Sequence, residues 1–264
     1  MIQSYVNIDN KKMEYFSFGS GSRTLVILPG LGVQKIRASA RMVESGYSCF
    51  KEDFTVYVFD RKDDLPQNCT IRQIADDTAR AMRTLGIKNA DIFGVSMGGM
   101  IAQTLGVYHP ELVHSLVLAS TLSRPNPTFE AVAKEWINAA REGDITVLAE
   151  KMMYRLFTDE IAEKLCEASG IMFAGVTRDD FDRFIIQSNA VKSFDIYDEL
   201  TRISCPVFVV GVEDDPVLTG QASREIAEKI GCELYMYGNE YRHAVFDEAP
   251  DYKQRVLSRL KAIC

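Results

Sequence analysis

Six short runs dense in β-branched and aromatic residues, at 24–28, 54–59, 91–93, 115–118, 206–210 and 233–237, are separated by stretches whose apolar residues fall at helical spacing. A strand with one wet face alternates apolar and polar side chains. These runs are apolar at nearly every position, as strands must be when helices cover both faces of their sheet. Parallel neighbours need a crossover of a dozen residues or more, and the helical stretches supply it. Two earlier runs, around Tyr5 and Tyr15 and divided by Asn10-Lys11, read as an edge hairpin. The expectation is an α/β fold on a mostly parallel eight-stranded sheet with helices on both faces.

A chain of 264 residues stands near the upper limit for one hydrophobic core, so a single α/β domain with a smaller inserted layer is expected. No apolar stretch reaches the eighteen or so residues that span a bilayer, and residues 1–10 carry no basic start followed by an apolar block. A cytoplasmic protein without a membrane partner is therefore expected. The net charge of −7, with no cluster of Lys and Arg, disfavours a nucleic-acid partner. Cys49, Cys69, Cys166, Cys205, Cys232 and Cys264 form no C-x-x-C pair and have no histidine nearby, which argues for reduced thiols and against a disulfide frame or a metal.

Residues 124–200 break the alternation of strand and helix. Phe129, Val132, Trp136, Ile137 and Ala140 share one helical face, as do Ile145, Leu148, Met152, Met153 and Leu156, and then Phe181, Phe184 and Ile185. Asp144, Thr158 and Thr177 stand where N-caps belong. Four helices and no strand are expected, inserted after the sixth strand as an all-helical cap over the crevice where parallel sheets bind ligands. The division is 1–123 and 201–264 for the core and 124–200 for the cap. Trp136, Met152, Met153 and Phe184 are candidates to line an acyl pocket, with core packing as the alternative reading of the same stripe. Elsewhere, Thr70 and Gln73 form a capping box, and Gly86 and Gly231 can close helices.

Gly94-Val95-Ser96-Met97-Gly98 lies between an apolar run and a helix-patterned run. A pentapeptide of this kind arises by chance in about one chain in ten of this length, so its setting must carry the argument. A strand, a sharp turn and a helix would raise the Ser96 hydroxyl at the tip of a strained turn, with glycines where side chains would collide with neighbouring backbone. The backbone N–H of Met97, at the first helical position, can then point at a developing oxyanion. Serine also needs an imidazole to take its proton. Of three histidines, His109 lies about 20 Å from Ser96 along the helix at 1.5 Å per residue, and His114 follows it. His243, in a loop after the last strand, remains.

The motif at 94–99, Gly211-Val212-Glu213-Asp214 and His243-Ala244, taken in that order, resemble the α/β-hydrolase superfamily over essentially the whole chain. The resemblance implies a Ser96, acid and His243 triad, with the acid just beyond the seventh strand. Asp214 is the expected acid and Asp215 its rival; residues 119–123, where some relatives carry the acid, hold no carboxylate. It also implies a second oxyanion donor in Leu28-Pro29-Gly30-Leu31-Gly32, the N–H of Leu31. Pro29 stands where the family usually has histidine. The loop after the fourth strand, 60–64, lacks the family's glycines, and its charges read as solvated. Arg242, in place of a common glycine, is either a contact for carboxylate-bearing substrates or a surface residue.

The expected activity is serine hydrolysis, without cofactor or metal, of a small or medium ester or related acyl compound through an acyl-enzyme intermediate. Thioesters, lactones, amides, the C–C bonds of diketones and peracid formation use the same triad, and a non-catalytic small-ligand receptor is a second class. Haloalkane dehalogenation is disfavoured, because such relatives carry aspartate where this chain has Ser96.

Overall fold

The computed structural model describes residues 1–263. Strands β1 (Ile2–Ile8) and β2 (Lys11–Phe18) pair antiparallel across Asp9-Asn10, both at positive φ (53° and 62°), the turn geometry whose twist matches that of the strands it joins. Then follow β3 (Arg23–Leu28), α1 (Ala40–Gly46), β4 (Phe54–Lys62), α2 (Ile71–Thr84), β5 (Ala90–Val95), α3 (Met97–Tyr108) and β6 (Val113–Ala119). Four helices without a strand are inserted between β6 and β7 as the candidate cap: α4 (Pro127–Glu142), α5 (Ile145–Leu156), α6 (Asp159–Met172) and α7 (Arg178–Lys192). The chain returns through β7 (Val207–Val212), α8 (Gly220–Ile230), β8 (Glu233–Tyr237), α9 (Val245–Glu248) and α10 (Tyr252–Ala262).

The eight strands form one sheet in the order β1-β2-β4-β3-β5-β6-β7-β8, parallel from β4 onward and antiparallel at the β1 and β2 edge. Both faces are covered, which explains the unbroken apolar runs. Along β7, Val207 and Val209 enter the core under α2, α3 and α8, while Phe208, Val210 and Val212 enter the core that α1 and α10 close. Each strand is thus a wall shared by two cores, and alternation of polar side chains would bury charge on one of them.

Local signals fix the helix ends. Thr70 Oγ1 accepts from the Gln73 N–H at 3.2 Å and Gln73 Oε1 from the Thr70 N–H at 2.9 Å, while Gly231, at φ 74°, ends α8. In the cap, Asn126 and Asp144 accept from the first N–H groups of α4 and α5, and Thr177 with Asp180 makes a capping box on α7. Thr158 departs from expectation. It stands at the N-cap position of α6, but its side chain caps nothing, and its N–H donates to Glu248 at 2.8 Å, tying the cap to α9.

Among the described residues no helix is long and apolar enough to cross a membrane, and no metal-binding group of His, Cys, Asp or Glu is gathered. Cys49, Cys69, Cys166, Cys205 and Cys232 are free thiols; burial pushes Cys69, Cys205 and Cys232 up to about 11, so they stay protonated. Cys264 lies outside the described residues.

Candidate active site

Ser96 sits between β5 and α3 with φ 52° and ψ −117°, a conformation that costs a non-glycine residue about 1–3 kcal/mol and lifts its side chain off the sheet. The glycines around it are there for space. A Cβ at Gly94 would lie 2.4 Å from the Gly98 carbonyl oxygen, one at Gly98 would lie 1.8 Å from the Leu28 oxygen, and one at Gly99 would meet Thr121 Cβ at 2.6 Å. The turn is held from below: the Ser96 N–H donates to the Ala119 oxygen at 2.8 Å, and Thr121 Oγ1 donates to the Ser96 oxygen at 2.7 Å. Ser96 remains half-buried while its neighbours Val95 and Met97 are fully buried.

The neighbouring strands end level with it. The Ser120 N–H donates to the Val210 oxygen and the Glu213 N–H to the Tyr237 oxygen, so the loops after β5, β6, β7 and β8 all leave from one edge of the sheet. From that edge come the other two groups. His243, 2% exposed, shares a hydrogen bond of 2.7 Å between its Nδ1 and Asp215 Oδ2, and leaves Nε2 as the nitrogen free for chemistry. Ser96 Oγ makes no hydrogen bond among the described residues; such contacts often tighten only around a substrate. The other two histidines are engaged elsewhere. His109 Nε2 meets Asp76 at 2.7 Å, and His114 Nδ1 meets Asp91 at 2.9 Å, at the opposite end of β5.

The acid is a correction to the expectation from sequence. Asp215, not Asp214, is the residue on the imidazole. β7 runs two residues beyond the apolar stretch read from sequence, to Val212, and in the turn that follows Asp214 is exposed while Asp215 is buried. Asp215 is buried, and its Oδ1 accepts from the N–H groups of Val217 (2.8 Å) and Leu218 (3.0 Å). Burial alone would push its carboxyl up. The charge and hydrogen bond of His243 and those two N–H groups outweigh burial and hold it below its ordinary value of 3.8. Asp214 is exposed and lines an open cleft of about 660 Å³ between α5 and the loops after β7 and β8, with Lys151, Tyr154, Arg155 and Arg242.

Two backbone segments flank the Ser96 side chain. Met97 opens α3, and Gly30 packs so closely on the nucleophile that a Cβ there would lie 3.3 Å from Ser96 Cβ, which puts the Gly30 to Leu31 peptide beside the hydroxyl. The candidate pocket residues divide. Trp136, Met152 and Phe184 belong to the main hydrophobic core, and Trp136 Nε1 donates to the Lys151 oxygen at 3.4 Å. Met153 is buried outside that core.

Arg242 is engaged by the cap. Its Nη1 donates to the carbonyls of Tyr154 (2.7 Å) and Phe157 (3.0 Å) at the end of α5, and its Nη2 pairs with Asp159 at 2.9 Å. With the Ala244 N–H on the Leu156 oxygen at 2.8 Å, the histidine loop and the cap are fastened together. An Arg242→Ala variant is therefore expected to lower the melting temperature, while the ratio of kcat/KM for matched neutral and anionic esters stays within about twofold, because a cation already satisfied by carbonyls has little differential affinity to offer.

Sequence reasoning missed the residues at the end of β4. Asp60 and Arg61 belong to the strand, not to a solvated loop, and are only 4% and 5% exposed. Asp60 pairs with Arg183 of α7, 123 positions away, and no local pattern announces a partner at that distance.

A family model described as the alpha/beta hydrolase fold matches residues 23–250. The chain is similar to a protein of Pseudomonas syringae named, provisionally, as the carbamate hydrolase RutD, at 27% identity over 78% of this chain and 81% of the relative. It is also similar to 3-oxoadipate enol-lactonase 2 of Acinetobacter baylyi, at 24% identity over 83% and 81%. Among solved structures it resembles MGS-M2, an α/β-hydrolase enzyme from a Medee basin deep-sea metagenome library, with a TM-score of 0.85 and 19% identity over 98% of this chain and 97% of that one. A strained serine at the end of a central parallel strand, a level row of strand ends beside it, and a family match across most of the sequence lead to one conclusion: this chain belongs to the α/β-hydrolase fold family and is a hydrolase.

Proposed function

We propose that the chain is a serine hydrolase that cleaves a small or medium carboxylic ester or a related acyl compound through an acyl-enzyme intermediate, with residues 124–200 as its cap and 1–123 with 201–264 as its hydrolytic core. The observation that carries the reading is the buried His243 and Asp215 pair issuing from the same sheet edge as a strained Ser96. In the first half-reaction Ser96 Oγ attacks the acyl carbon, His243 Nε2 takes its proton, and the N–H groups of Leu31 and Met97 hold the oxyanion. His243 then gives that proton to the leaving group. Water, deprotonated by the same nitrogen, attacks the acyl-enzyme and releases the acid. Asp215 fixes the tautomer and stabilises the imidazolium. None of these steps calls for a cofactor.

The names of the relatives support this substrate class. A carbamate and an enol-lactone both carry an acyl carbon bonded to a heteroatom leaving group, which is the bond this sequence of steps breaks. Met153 is the apolar side chain proposed to meet the acyl group.

A fluorophosphonate probe tests the proposal. Wild type is expected to gain one covalent adduct by mass spectrometry and to lose activity towards a panel of esters and thioesters of graded acyl length. Ser96→Ala is expected to gain no adduct and to show no turnover above background. Equal labelling of the two proteins, or tight binding of an ester without labelling, would refute it in favour of a non-catalytic ligand receptor.

A further inference from the structure

Seven residues, 29–35, lead from the end of β3 into a short turn at Ile36–Ser39, and both ends of this loop are anchored by the same pair of buried charges. Arg61 Nη2 donates to the carbonyl oxygens of Pro29 and Gly30, the latter at 3.2 Å. Asp60 Oδ2 accepts from the Ile36 N–H at 2.8 Å, and its Oδ1 accepts from the Arg61 N–H at 2.6 Å. From the cap, Arg183 Nη2 donates to Asp60 Oδ1 and also lies 3.4 Å from the Arg61 carbonyl oxygen. Together these contacts make one connected unit of loop, strand end and cap helix.

The planarity of the peptide gives the unit a consequence for chemistry. In a trans peptide the carbonyl and the N–H point in opposite directions, so fixing the Gly30 oxygen on one side fixes the Leu31 N–H on the other. Gly30 lies against Ser96, and without a side chain it offers little steric resistance to rotation of that peptide plane. A rotated plane would turn an oxygen towards the developing oxyanion and repel it. We infer that Arg61 is the positioning residue of the oxyanion loop, holding the Gly30 carbonyl so that the Leu31 N–H faces Ser96, and that Arg183 of the cap secures the same lock through Asp60.

Charge reinforces the geometry. Arg183 takes the Asp60 carboxylate, while the Arg61 guanidinium is held by the two loop carbonyls, and Arg61 Nε and Arg183 Nε are buried without partners among the described residues. Burial pushes Arg61 down to about 10, opposed by Asp60, which leaves it charged at neutral pH.

The inference rests on the acyl-transfer reading, and the experiment separates the two. Arg61→Gln, Arg61→Lys and Arg183→Gln are compared with wild type and Ser96→Ala on the same panel of esters, together with inhibition by phenylboronic acid, which adds to the serine as a tetrahedral oxyanion mimic. Arg61→Gln is expected to lower kcat about 10–100-fold with KM within about threefold, because an oxyanion donor is worth roughly 10²–10³ when removed outright and is here only misaimed. Boronate affinity should fall by a matching factor. Arg61→Lys should recover part of the loss, and Arg183→Gln should show a smaller fall of the same kind. A folded Arg61→Gln with kcat within about twofold of wild type, or with kcat lowered and boronate affinity intact, overturns the inference. Should Arg61→Gln not fold, wild-type kcat in both Arg61→Lys and Arg183→Gln overturns it equally. A wild type as inert as Ser96→Ala overturns the acyl-transfer reading and this inference together.

Discussion

Asp215→Asn is expected to lower kcat on the order of 10³–10⁴-fold, while Asp214→Asn stays within about threefold of wild type. The amide introduced at position 215 can still accept from the N–H groups of Val217 and Leu218 through its oxygen, so the turn should hold and the protein should fold. Its NH₂ would then face His243 Nδ1 and force the proton onto Nε2, the nitrogen that must accept from Ser96. Catalysis fails on the tautomer, not on the architecture. Asp214, exposed in the cleft, has no such leverage. Steady-state rates on one ester decide the matter, and a larger loss in Asp214→Asn than in Asp215→Asn would reassign the acid.

The same substitution has a signature in acid. The Asp215 carboxyl is held below its ordinary value of 3.8, so the native state favours its charged form. Its contribution to stability is complete above the unfolded value and is lost as pH falls through the folded one. Denaturation followed from pH 6 downward should therefore show a weaker fall in stability for Asp215→Asn than for wild type below about pH 4.

Gly98→Ala should be severely destabilising. The new Cβ would stand 1.8 Å from the Leu28 carbonyl oxygen, and neither partner is a flexible side chain: one is the first turn of α3 and the other the end of β3. Relief requires helix and strand to separate at the point where the Ser96 turn is supported. A loss of more than about 4 kcal/mol is expected, a large part of a stability of about 5–15 kcal/mol. In a thermal melt that is a fall of roughly 8 °C or more, or insoluble protein. Gly170→Ala is the control. Gly170 lies in α6 with nothing within 4 Å of its Cβ position, so alanine there is expected to stabilise by about 0.5–1 kcal/mol through helix propensity. Similar melting temperatures for the two variants would mean that close packing of backbone does not hold the turn.

The fold was legible because its signals are local or periodic. Runs apolar on both faces, a capping box at Thr70, helix stops at Gly86 and Gly231, and a strandless stretch from 124 to 200 each state their structure within a few residues. The strained turn at Ser96 was legible too, because its flanking glycines leave no room for a Cβ, and His109 and His114 are engaged by Asp76 and Asp91. What tertiary structure decided was which polar groups lose water. Asp214 and Asp215 are identical in composition and adjacent in sequence, and the turn after β7, with His243 arriving from another loop, buries one and leaves the other exposed. Asp60 and Arg61 read as solvated charges in sequence, yet both are buried at the root of the loop beside Ser96, where Arg183 arrives from α7 to pair with Asp60. Periodicity encodes which face of an element is apolar; it does not encode which charges on other elements will find each other, and the pairing of Asp215 with His243 and of Asp60 with Arg183 both depend on that.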